Sequence, residues 1–232
     1  MNKDVFLEEL EKLNIFLTEE QIKKLDKFYN LLIDWNHKIN LTTITIKEEV
    51  YLKHFYDSLT IVNIIDLTKK LKVLDVGTGA GFPGIVLKIV FPNLEITLLD
   101  SLQKRINYLK EIIKELELDN IEVVCARSEE YTKINREEYD LVISRAVAHL
   151  KILSEISFSS VKVGGFLVAM KGICEEEIKE SLDIISKLGG KIIEIKEFKL
   201  PIEKSQRTLI KIEKIKPTNL KYPRRYSEIK KK

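Results

Sequence analysis

The feature that most constrains this chain is a glycine cluster between a predicted strand and a predicted helix. Four of the nine glycines lie in the ten residues 75–84. The cluster follows the predicted strand Lys72–Val76 and opens the predicted helix Pro83–Val90, where proline suits the first turn. Glycine lets the backbone turn sharply and approach a ligand closely, and a helix N-terminus offers unpaired N–H groups. The cluster therefore predicts a strand–turn–helix unit that binds a ligand, although a tight turn without a ligand is the simpler alternative.

An acidic residue at the end of the second predicted strand, Glu95–Leu99, extends this argument. Ligands of open α/β sheets bind outside the carboxyl ends of the strands, which is where Asp100 lies. A carboxylate there can accept hydrogen bonds from both hydroxyls of a ribose. Together, the glycine cluster and Asp100 predict a cofactor that contains adenosine.

The spacing of the glycines separates two classes of cofactor. Gly79, Gly81 and Gly84 satisfy the GxGxxG pattern, so a NAD-dependent oxidoreductase is one alternative. Counting from Gly77, the first glycine after the strand, places Phe82 where that pattern needs a small residue. The order acid–x–Gly–x–Gly–x–Gly is instead typical of methyltransferases, which favours S-adenosyl-L-methionine as the cofactor.

Pattern and composition divide the chain into three predicted parts. Residues 1–68 contain no glycine and are predicted to form a helical cap, since apolar residues recur every three to four positions. Residues 69–213 alternate short apolar runs with helical stretches, which indicates an α/β core with a mostly parallel sheet. Residues 214–232 form a tail with eight basic residues and one acidic residue.

Several local predictions position these parts. In the cap, Thr18 and Gln21 predict a capping box. We expect a loop over Asn36–Thr45, a helix over Lys47–Phe55, and a short helix that Asp57 or Ser58 caps. Two final strands without a helix between them predict an antiparallel pair. The strands predicted after Asp100 are Ile121–Val124, Tyr139–Ile143, Gly165–Met170, Lys191–Phe198 and Arg207–Ile212.

Composition excludes several other classes of protein. Two cysteines without CxxC or Cys/His spacing predict reduced thiols and no metal site. No apolar run approaches the ~18 residues of a membrane span, and the N-terminus does not read as a signal peptide. We therefore expect a cytoplasmic protein with no membrane partner, and we expect a monomer.

The charge of the chain is unevenly distributed. Lysine and arginine outnumber aspartate and glutamate by 39 to 36, a net charge of +3 that argues against a small, strongly basic nucleic-acid module. The tail, however, carries 8 − 1 = +7, which leaves −4 for residues 1–213. This split predicts a basic arm on a slightly acidic enzyme.

Further motifs narrow the class of protein beyond what the glycine cluster indicates. The segments Leu74–Gly84, Leu98–Ser101 and Lys104-Arg105 resemble the bacterial 16S rRNA guanine-N7 methyltransferases, the glucose-inhibited division protein B family. Shorter matches are Trp35-Asn36, Asn40–Thr42, His54, Asp57-Ser58, Ser144–Ala146, Lys171-Gly172 and Lys221–Arg224. The tail departs from the family after Arg224, where Gly and Pro often follow and this chain has Arg225-Tyr226.

The resemblance implies a class I methyltransferase fold, Rossmann-like, with seven strands and an N-terminal helical extension. It implies methyl transfer to N7 of one guanine in 16S rRNA, presented in the 30S subunit or in an assembly intermediate. It places Gly77, Phe82, Ser128, Glu129 and Arg145 at the cofactor. Gly79, Gly81 and Asp100 join them on the physical argument above.

The expected chemistry needs few protein groups. N7 of guanine carries an in-plane lone pair and no proton, so positioning and desolvation replace a general base. Arg145, at the end of a predicted strand, is the candidate catalytic residue, and a surface ion pair is the alternative. Cytosine-C5 methylation would need a cysteine nucleophile, for which Cys174 is the only candidate near a strand end.

Six residues are candidates for contact with RNA: His54, Lys104, Arg105, Lys171, Arg207 and Arg224. For most of them the alternative is an ordinary solvated charge, and for His54 it is a hydrogen bond to a backbone carbonyl. A non-catalytic RNA-binding protein with a relic cofactor pocket is therefore a further alternative for the whole chain.

Overall fold

One seven-stranded sheet organises the structure, a computed structural model that describes residues 1–230. Residues 231 and 232, which belong to the predicted tail, lie outside the described residues. The strands are β1 (Lys72–Val76), β2 (Glu95–Asp100), β3 (Ile121–Cys125), β4 (Tyr139–Arg145), β5 (Val161–Lys171), β6 (Gly190–Lys199) and β7 (Gln206–Lys214). Their order is β3-β2-β1-β4-β5-β7-β6. The first five pair in parallel, whereas β7 runs antiparallel to both β5 and β6, which confirms the predicted class of sheet.

Helices cover both faces of this sheet. They are α1 (Lys3–Glu11), α2 (Glu19–Ile39), α3 (Lys47–Val50), α4 (Asp57–Leu59), α5 (Gly84–Val90), α6 (Gln103–Glu115), α7 (Ser128–Ile134), α8 (Leu150–Ser157), α9 (Glu175–Lys187) and α10 (Tyr226–Ile229). Alternate residues of a strand point to opposite faces. Val73 thus joins the core beneath the N-terminal helices, α5 and α6, whereas Leu74 joins the core beneath α8 and α9. No helix among residues 1–230 is both long and apolar enough to cross a membrane.

The predicted capping box forms and also docks the N-terminal helices onto the sheet. The Thr18 hydroxyl accepts from the Gln21 N–H at 3.2 Å, and Gln21 Oε1 accepts from the Thr18 N–H at 2.9 Å. The Gln21 amide then donates to the carbonyls of Ile89 and Val90 at the end of α5. Residues 1–68 therefore share one hydrophobic core with the sheet.

Two predictions about the N-terminal part are wrong in detail. The loop predicted from Asn36 begins only after Ile39, because α2 continues to that residue and ends at Asn40 with φ 49°. Neither Asp57 nor Ser58 caps a helix, because the backbone from residue 47 to residue 63 is helical throughout. A π-helical turn over Tyr51–Tyr56 links α3 to α4, so no free N-terminus exists at Asp57.

The C-terminal segment packs against the body of the protein. The Lys214 side chain is fully buried, with its Nζ 3.4 Å from Glu137 Oε1 and 3.2 Å from the Ser159 carbonyl. Tyr222 lies in the core beneath α8 and α9. Arg224 donates two hydrogen bonds of 2.7 Å to the carboxylate of Glu155, a buried residue of α8. The described part of the tail is therefore a docked segment.

Candidate active site and cofactor pocket

The glycine cluster forms a turn at the carboxyl end of β1. Gly77, Gly79 and Gly81 have φ values of 69°, 59° and 93°, a conformation that side chains disfavour. The N–H groups of Gly77 and Thr78 donate to the Leu99 carbonyl of β2 at 2.8 and 3.1 Å. A Cβ at Gly79 would meet only the Gly77 carbonyl oxygen, at 3.9 Å. The turn is thus fixed by its neighbours and keeps open space at Gly79 for a ligand.

Asp75 shapes this turn from inside the protein. Its Oδ2 accepts from the Thr78 hydroxyl at 2.7 Å and from the Gly84 N–H at 2.9 Å. Its Oδ1 has no hydrogen-bond partner among the described residues, and burial raises the pKa of the carboxyl to about 6. An unpartnered buried oxygen is costly, and the ammonium group of S-adenosylmethionine is the kind of ligand that would satisfy it. The residues present therefore fit this cofactor.

Asp100 ends β2 beside the turn, as predicted. Its carboxylate accepts from the N–H of Gly79 at 3.1 Å and from the N–H of Leu102 at 2.9 Å. The Arg105 guanidinium also donates to it, at 3.1 Å. A carboxylate offers about four lone-pair positions, and these three donors leave one of them, so a ribose that binds through both hydroxyls would compete with Arg105. Arg105, predicted to contact RNA, thus lies at the cofactor side of the site.

The end of β3 adds the next predicted residues to the same edge. The Ala126 N–H donates to the Asp100 carbonyl at 3.1 Å, which ties the end of β3 to that of β2. Ser128 and Glu129 follow as the first two residues of α7, and both are half-buried. They could hold a ligand whose ribose lies at Asp100.

A second space, which we call the cationic cavity, lies beyond β4. It has a volume of about 330 Å³ and is bounded by the ends of β4 and β5, the start of β7 and the helical segment 47–63. Arg145, Met170 and Leu209 form a row across these three strands. The lining residues are Ile44, Lys53, His54, Asp57, Arg145, Ala146, Met170, Lys171, Gly172, Arg207 and Leu209.

Arg145 is the central group of the cationic cavity. Its guanidinium donates to the Lys53 carbonyl at 3.0 Å and to Asp57 Oδ2 at 3.2 Å, and it lies 5.2 Å from the centre of the Phe82 ring. Asp57 Oδ1 accepts from Arg207 Nε at 3.0 Å. One carboxylate therefore bridges two arginines. Burial lowers the pKa of Arg145, but a guanidinium remains charged.

His54 is held in one neutral form by its neighbours. Its Nδ1 lies 3.3 Å from an Arg145 nitrogen, which can only donate, so Nδ1 accepts. The proton then belongs on Nε2, which donates to the Thr42 hydroxyl at 2.9 Å. Burial, with the positive charge of Arg145, lowers the pKa of His54 to about 3. The ring stacks on Phe82 with centroids 4.4 Å apart.

Lys171 holds the loop that follows β4. Its ammonium group donates to the Ala148 carbonyl and, at 2.8 Å, to Glu177 Oε2. Glu177 Oε2 also accepts from the Leu150 N–H at the start of α8, again at 2.8 Å. The loop between β4 and α8 places Val147 over Gly77, where a Cβ would come within 2.5 Å of the valine. Lys171 thus links the cationic cavity to the glycine turn.

The structure brings together most of the residues that the sequence singled out. His54, Phe82, Arg145, Lys171 and Arg207 lie at or against the cationic cavity, next to the glycine turn. Lys104 lies exposed on α6, and Arg224 pairs with Glu155 outside the cavity lining. The pairing of Asp57 with two arginines was not predicted, although Asp57 belongs to one of the motifs named above. The two arginines lie on β4 and β7, far along the chain from Asp57.

The strand order, the glycine turn and the acid that ends β2 define a class I S-adenosylmethionine-dependent methyltransferase. A SAM-dependent methyltransferase from Aquifex aeolicus matches with a TM-score of 0.54 and 22% identity, over 72% of this chain and 93% of that chain. A precorrin-6y C5,15-methyltransferase from Geobacter metallireducens matches with a TM-score of 0.54 and 15% identity, over 76% and 91% of the two chains. At these identities, the likeness shows the fold.

Sequence comparison then gives the family. The family described as "GidB: rRNA small subunit methyltransferase G" matches residues 21–210. Proteins named ribosomal RNA small subunit methyltransferase G from Bacillus cereus and Lysinibacillus sphaericus are 46% and 47% identical over 228 residues. The matches cover 97% of this chain and at least 95% of each relative. The chain belongs to this methyltransferase family, its cofactor is S-adenosylmethionine, and the oxidoreductase alternative is wrong.

Proposed function

We propose that this enzyme transfers a methyl group from S-adenosylmethionine to N7 of a guanine in 16S rRNA. The observation that carries the proposal is the cationic cavity beside the glycine turn, whose described lining leaves no group available as a base. Four cationic side chains and one carboxylate line it. The carboxylate, Asp57, accepts from two arginines, and the His54 Nδ1 accepts from Arg145. A nucleophile that carries its own lone pair suits such a site.

The chemistry of N7 matches these groups. The cofactor supplies a methyl group activated by a sulfonium, and the protein needs to hold N7 in line with it and exclude water. Guanine presents O6 as an acceptor beside N7. Arg207 donates to Asp57, Ser205 and the Gln206 carbonyl through Nε and one terminal nitrogen. Its other terminal nitrogen has no partner among residues 1–230, which leaves two N–H donors for O6 or a phosphate.

Cytosine-C5 methylation fits the structure less well. That reaction needs a cysteine thiolate close to the base. Cys174 is buried, and burial raises the pKa of its thiol. It also lies in the core beneath α8 and α9, outside the lining of the cationic cavity.

We assign the cofactor to two neighbouring groups of residues. Gly77, Gly79, Gly81 and Phe82 would hold its methionine end, with Asp75 near the ammonium group. Asp100 would hold the ribose, and Ser128 and Glu129 the adenine. Arg145 lies between cofactor and base, because it contacts Phe82 on one side and lines the cationic cavity on the other.

The RNA would approach over the mouth of the cationic cavity. His54, Lys171 and Arg207 line that space, and Lys104 and Arg105 lie in the first turn of α6, close to Asp100 in the sequence. We propose that a monomer acts in the cytoplasm on 16S rRNA, in the 30S subunit or in an assembly intermediate. The parts 1–68, 69–213 and 214–232 would serve as cap, catalytic core and basic segment.

Mass spectrometry of the RNA digest tests this function most directly. Purified enzyme and methyl-labelled cofactor are incubated with naked 16S rRNA and with 30S particles that lack the modification. The proposal expects one 7-methylguanosine in the 16S rRNA. A methyl group on another base or atom contradicts the assignment of N7. No incorporation at any assembly stage, with protein that still binds S-adenosylhomocysteine in calorimetry, favours the non-catalytic RNA-binding alternative.

A further inference from the structure

Four exposed aliphatic side chains lie within two residues of side chains that line the cationic cavity or pair with its lining. We call this set the aliphatic rim: Ile46, Val147, Ile173 and Ile202, with exposed fractions of 60, 38, 82 and 57%. Val147 and Ile173 directly follow the lining residues Ala146 and Gly172, and Ile46 lies two residues beyond Ile44. Ile202 precedes Glu203, whose carboxylate pairs at 3.0 Å with the lining residue Lys53. All four therefore belong to segments that border the space proposed for the guanine.

Their position, rather than their exposure alone, needs an explanation. Single exposed aliphatic residues are ordinary on protein surfaces. Here they belong to segments that border a cavity whose wall carries four cationic side chains, which is where a polyanion would arrive. Phosphate contacts would favour lysine or arginine on such a rim. Aliphatic side chains at this position suit contact with the faces of bases instead.

A guanine in folded RNA must move before its N7 can be methylated here. N7 faces the major groove, which in A-form RNA is deep and narrow and closed to side chains. The proposed catalytic residue Arg145 is recessed, with only 13% of its side chain exposed. The base must therefore leave its stack and enter the cationic cavity, as in other enzymes that act on a base, at a cost of a few kcal/mol.

We propose that Ile173 is the wedge that fills the space left in the RNA stack when the guanine enters the cavity. This inference rests on the function proposed above. Aliphatic side chains inserted between base steps stabilise unstacked nucleic acid. Ile173 is the most exposed member of the rim, and it directly follows the lining residues Lys171 and Gly172.

The neighbouring Gly172 allows RNA to come close to this wedge. A Cβ at Gly172 would meet only the Gln206 carbonyl oxygen, at 3.9 Å. No side chain lies within 4 Å of that position, so the surface beside Ile173 is open at the backbone. The turn between β5 and α9 thus combines a projecting aliphatic group with an open path beside it.

Ile173→Ala tests the wedge, and Ile134→Ala is the matched control. Ile134 is also 82% exposed, but it ends α7 and lies outside the cavity and its rim. Single-turnover methyl transfer is measured on unmodified 16S rRNA, naked or in 30S particles, whichever the native enzyme accepts. We expect Ile173→Ala to be slower by about tenfold, because unstacking is no longer compensated. Ile134→Ala should match the native enzyme, and both variants should keep the native Tm and affinity for S-adenosylhomocysteine.

A loosened target separates a wedge from an ordinary RNA contact. The guanine methylated by the native enzyme is mapped, and an RNA is made in which the adjoining base pair is a mismatch. If Ile173 is a wedge, Ile173→Ala should methylate this RNA at a rate within about twofold of the native enzyme. The mismatch has already lowered the free energy needed to unstack the guanine. An equal defect on both RNAs, or no defect on the intact RNA, overturns the inference. If the native enzyme methylates neither RNA, the proposed function itself has failed.

Discussion

Arg145 joins three distant parts of the chain at one point. It ends β4, donates to the Lys53 carbonyl in the π-helical turn, and shares Asp57 with Arg207 at the start of β7. A planar guanidinium can make these contacts and still face a substrate, whereas an ammonium group cannot. Arg145 therefore supports the proposed active site mainly through its planar shape and its hydrogen bonds, and less through its positive charge.

Replacing Arg145 tests this dependence. We expect Arg145→Ala to lower the single-turnover rate of methyl transfer by more than about tenfold through lost positioning. Arg145→Lys, which keeps the charge but not the planar fork, should recover less than half of that loss on a logarithmic scale. Rates are measured with labelled cofactor on unmodified 30S particles or 16S rRNA. Native turnover in a folded Arg145→Ala enzyme would remove Arg145 from the mechanism.

His54 gives a prediction about pH. Its pKa is lowered to about 3 in the folded protein, whereas an unfolded histidine titrates near 6.5. The unfolded state therefore binds more protons below pH 6.5, and folding stability falls as the pH decreases. Between pH 7 and pH 5, this one group should remove about 2 kcal/mol from the free energy of unfolding.

Urea unfolding of the native protein and of His54→Gln isolates this contribution. The difference between their unfolding free energies should shrink by that amount from pH 7 to pH 5, because glutamine does not titrate. A constant difference would mean that His54 has the same pKa in the folded and the unfolded protein, so that folding does not lower it. Over the same range, His54 should add no ionisation to the pH profile of methyl transfer.

At the scale of elements, the sequence predicted where most strands and helices lie, but it did not predict the residues at which they end. Short apolar runs located all seven strands, but β4 continues two residues beyond its predicted end. Those residues, Ser144 and Arg145, are polar, and tertiary contacts keep them in the strand: the Ser144 hydroxyl donates to the Val76 carbonyl at 2.9 Å. The predicted cap at Asp57 failed because the same residue type serves caps and ion pairs. Arg145 of β4 and Arg207 of β7 reach Asp57 only when the sheet has folded.

The loop between β4 and α8 is the element that links the two halves of the site. Lys171→Met removes both of its hydrogen bonds to the Ala148 carbonyl and Glu177. We expect S-adenosylhomocysteine to bind about five- to tenfold more weakly in calorimetry. The loop then loses stabilisation of about 1 kcal/mol, the net contribution of one hydrogen bond. Glu177→Gln should weaken the same binding by a similar factor. If Lys171 instead contacts only RNA, both variants keep the native affinity for S-adenosylhomocysteine, and Lys171→Met alone binds RNA more weakly.

At the scale of the whole molecule, the position of the basic tail was the main surprise. Its charge suggested a free arm, because composition does not reveal burial. Lys214 is instead enclosed, with burial lowering its pKa to about 8, and Arg224 pairs with Glu155. Arg224 stays 41% exposed while it is paired, and four further basic residues of the described tail face solvent: Lys216, Lys221, Arg225 and Lys230.

Two sets of variants separate docking from RNA contact in this segment. Changing the four solvent-facing residues to glutamine should leave the Tm unchanged and reduce the slope of log affinity for 16S rRNA against log salt. Glu155→Gln, in contrast, should lower the free energy of unfolding by about 1–3 kcal/mol, because it weakens a charged hydrogen-bonded pair. An unaltered salt slope in the fourfold variant would show that these four residues do not contact RNA.

The strand order has a consequence for how the protein is made. The central antiparallel strand β7 enters the sheet between β5 and β6, although it is translated after both. A nascent chain or a prematurely terminated product that ends before Gln206 leaves β5 with an unpaired edge and β6 without a neighbour. Unpaired edges invite aggregation and degradation. Such a product also lacks Arg207, so translation has to pass β7 before the sheet and the cationic cavity can be complete.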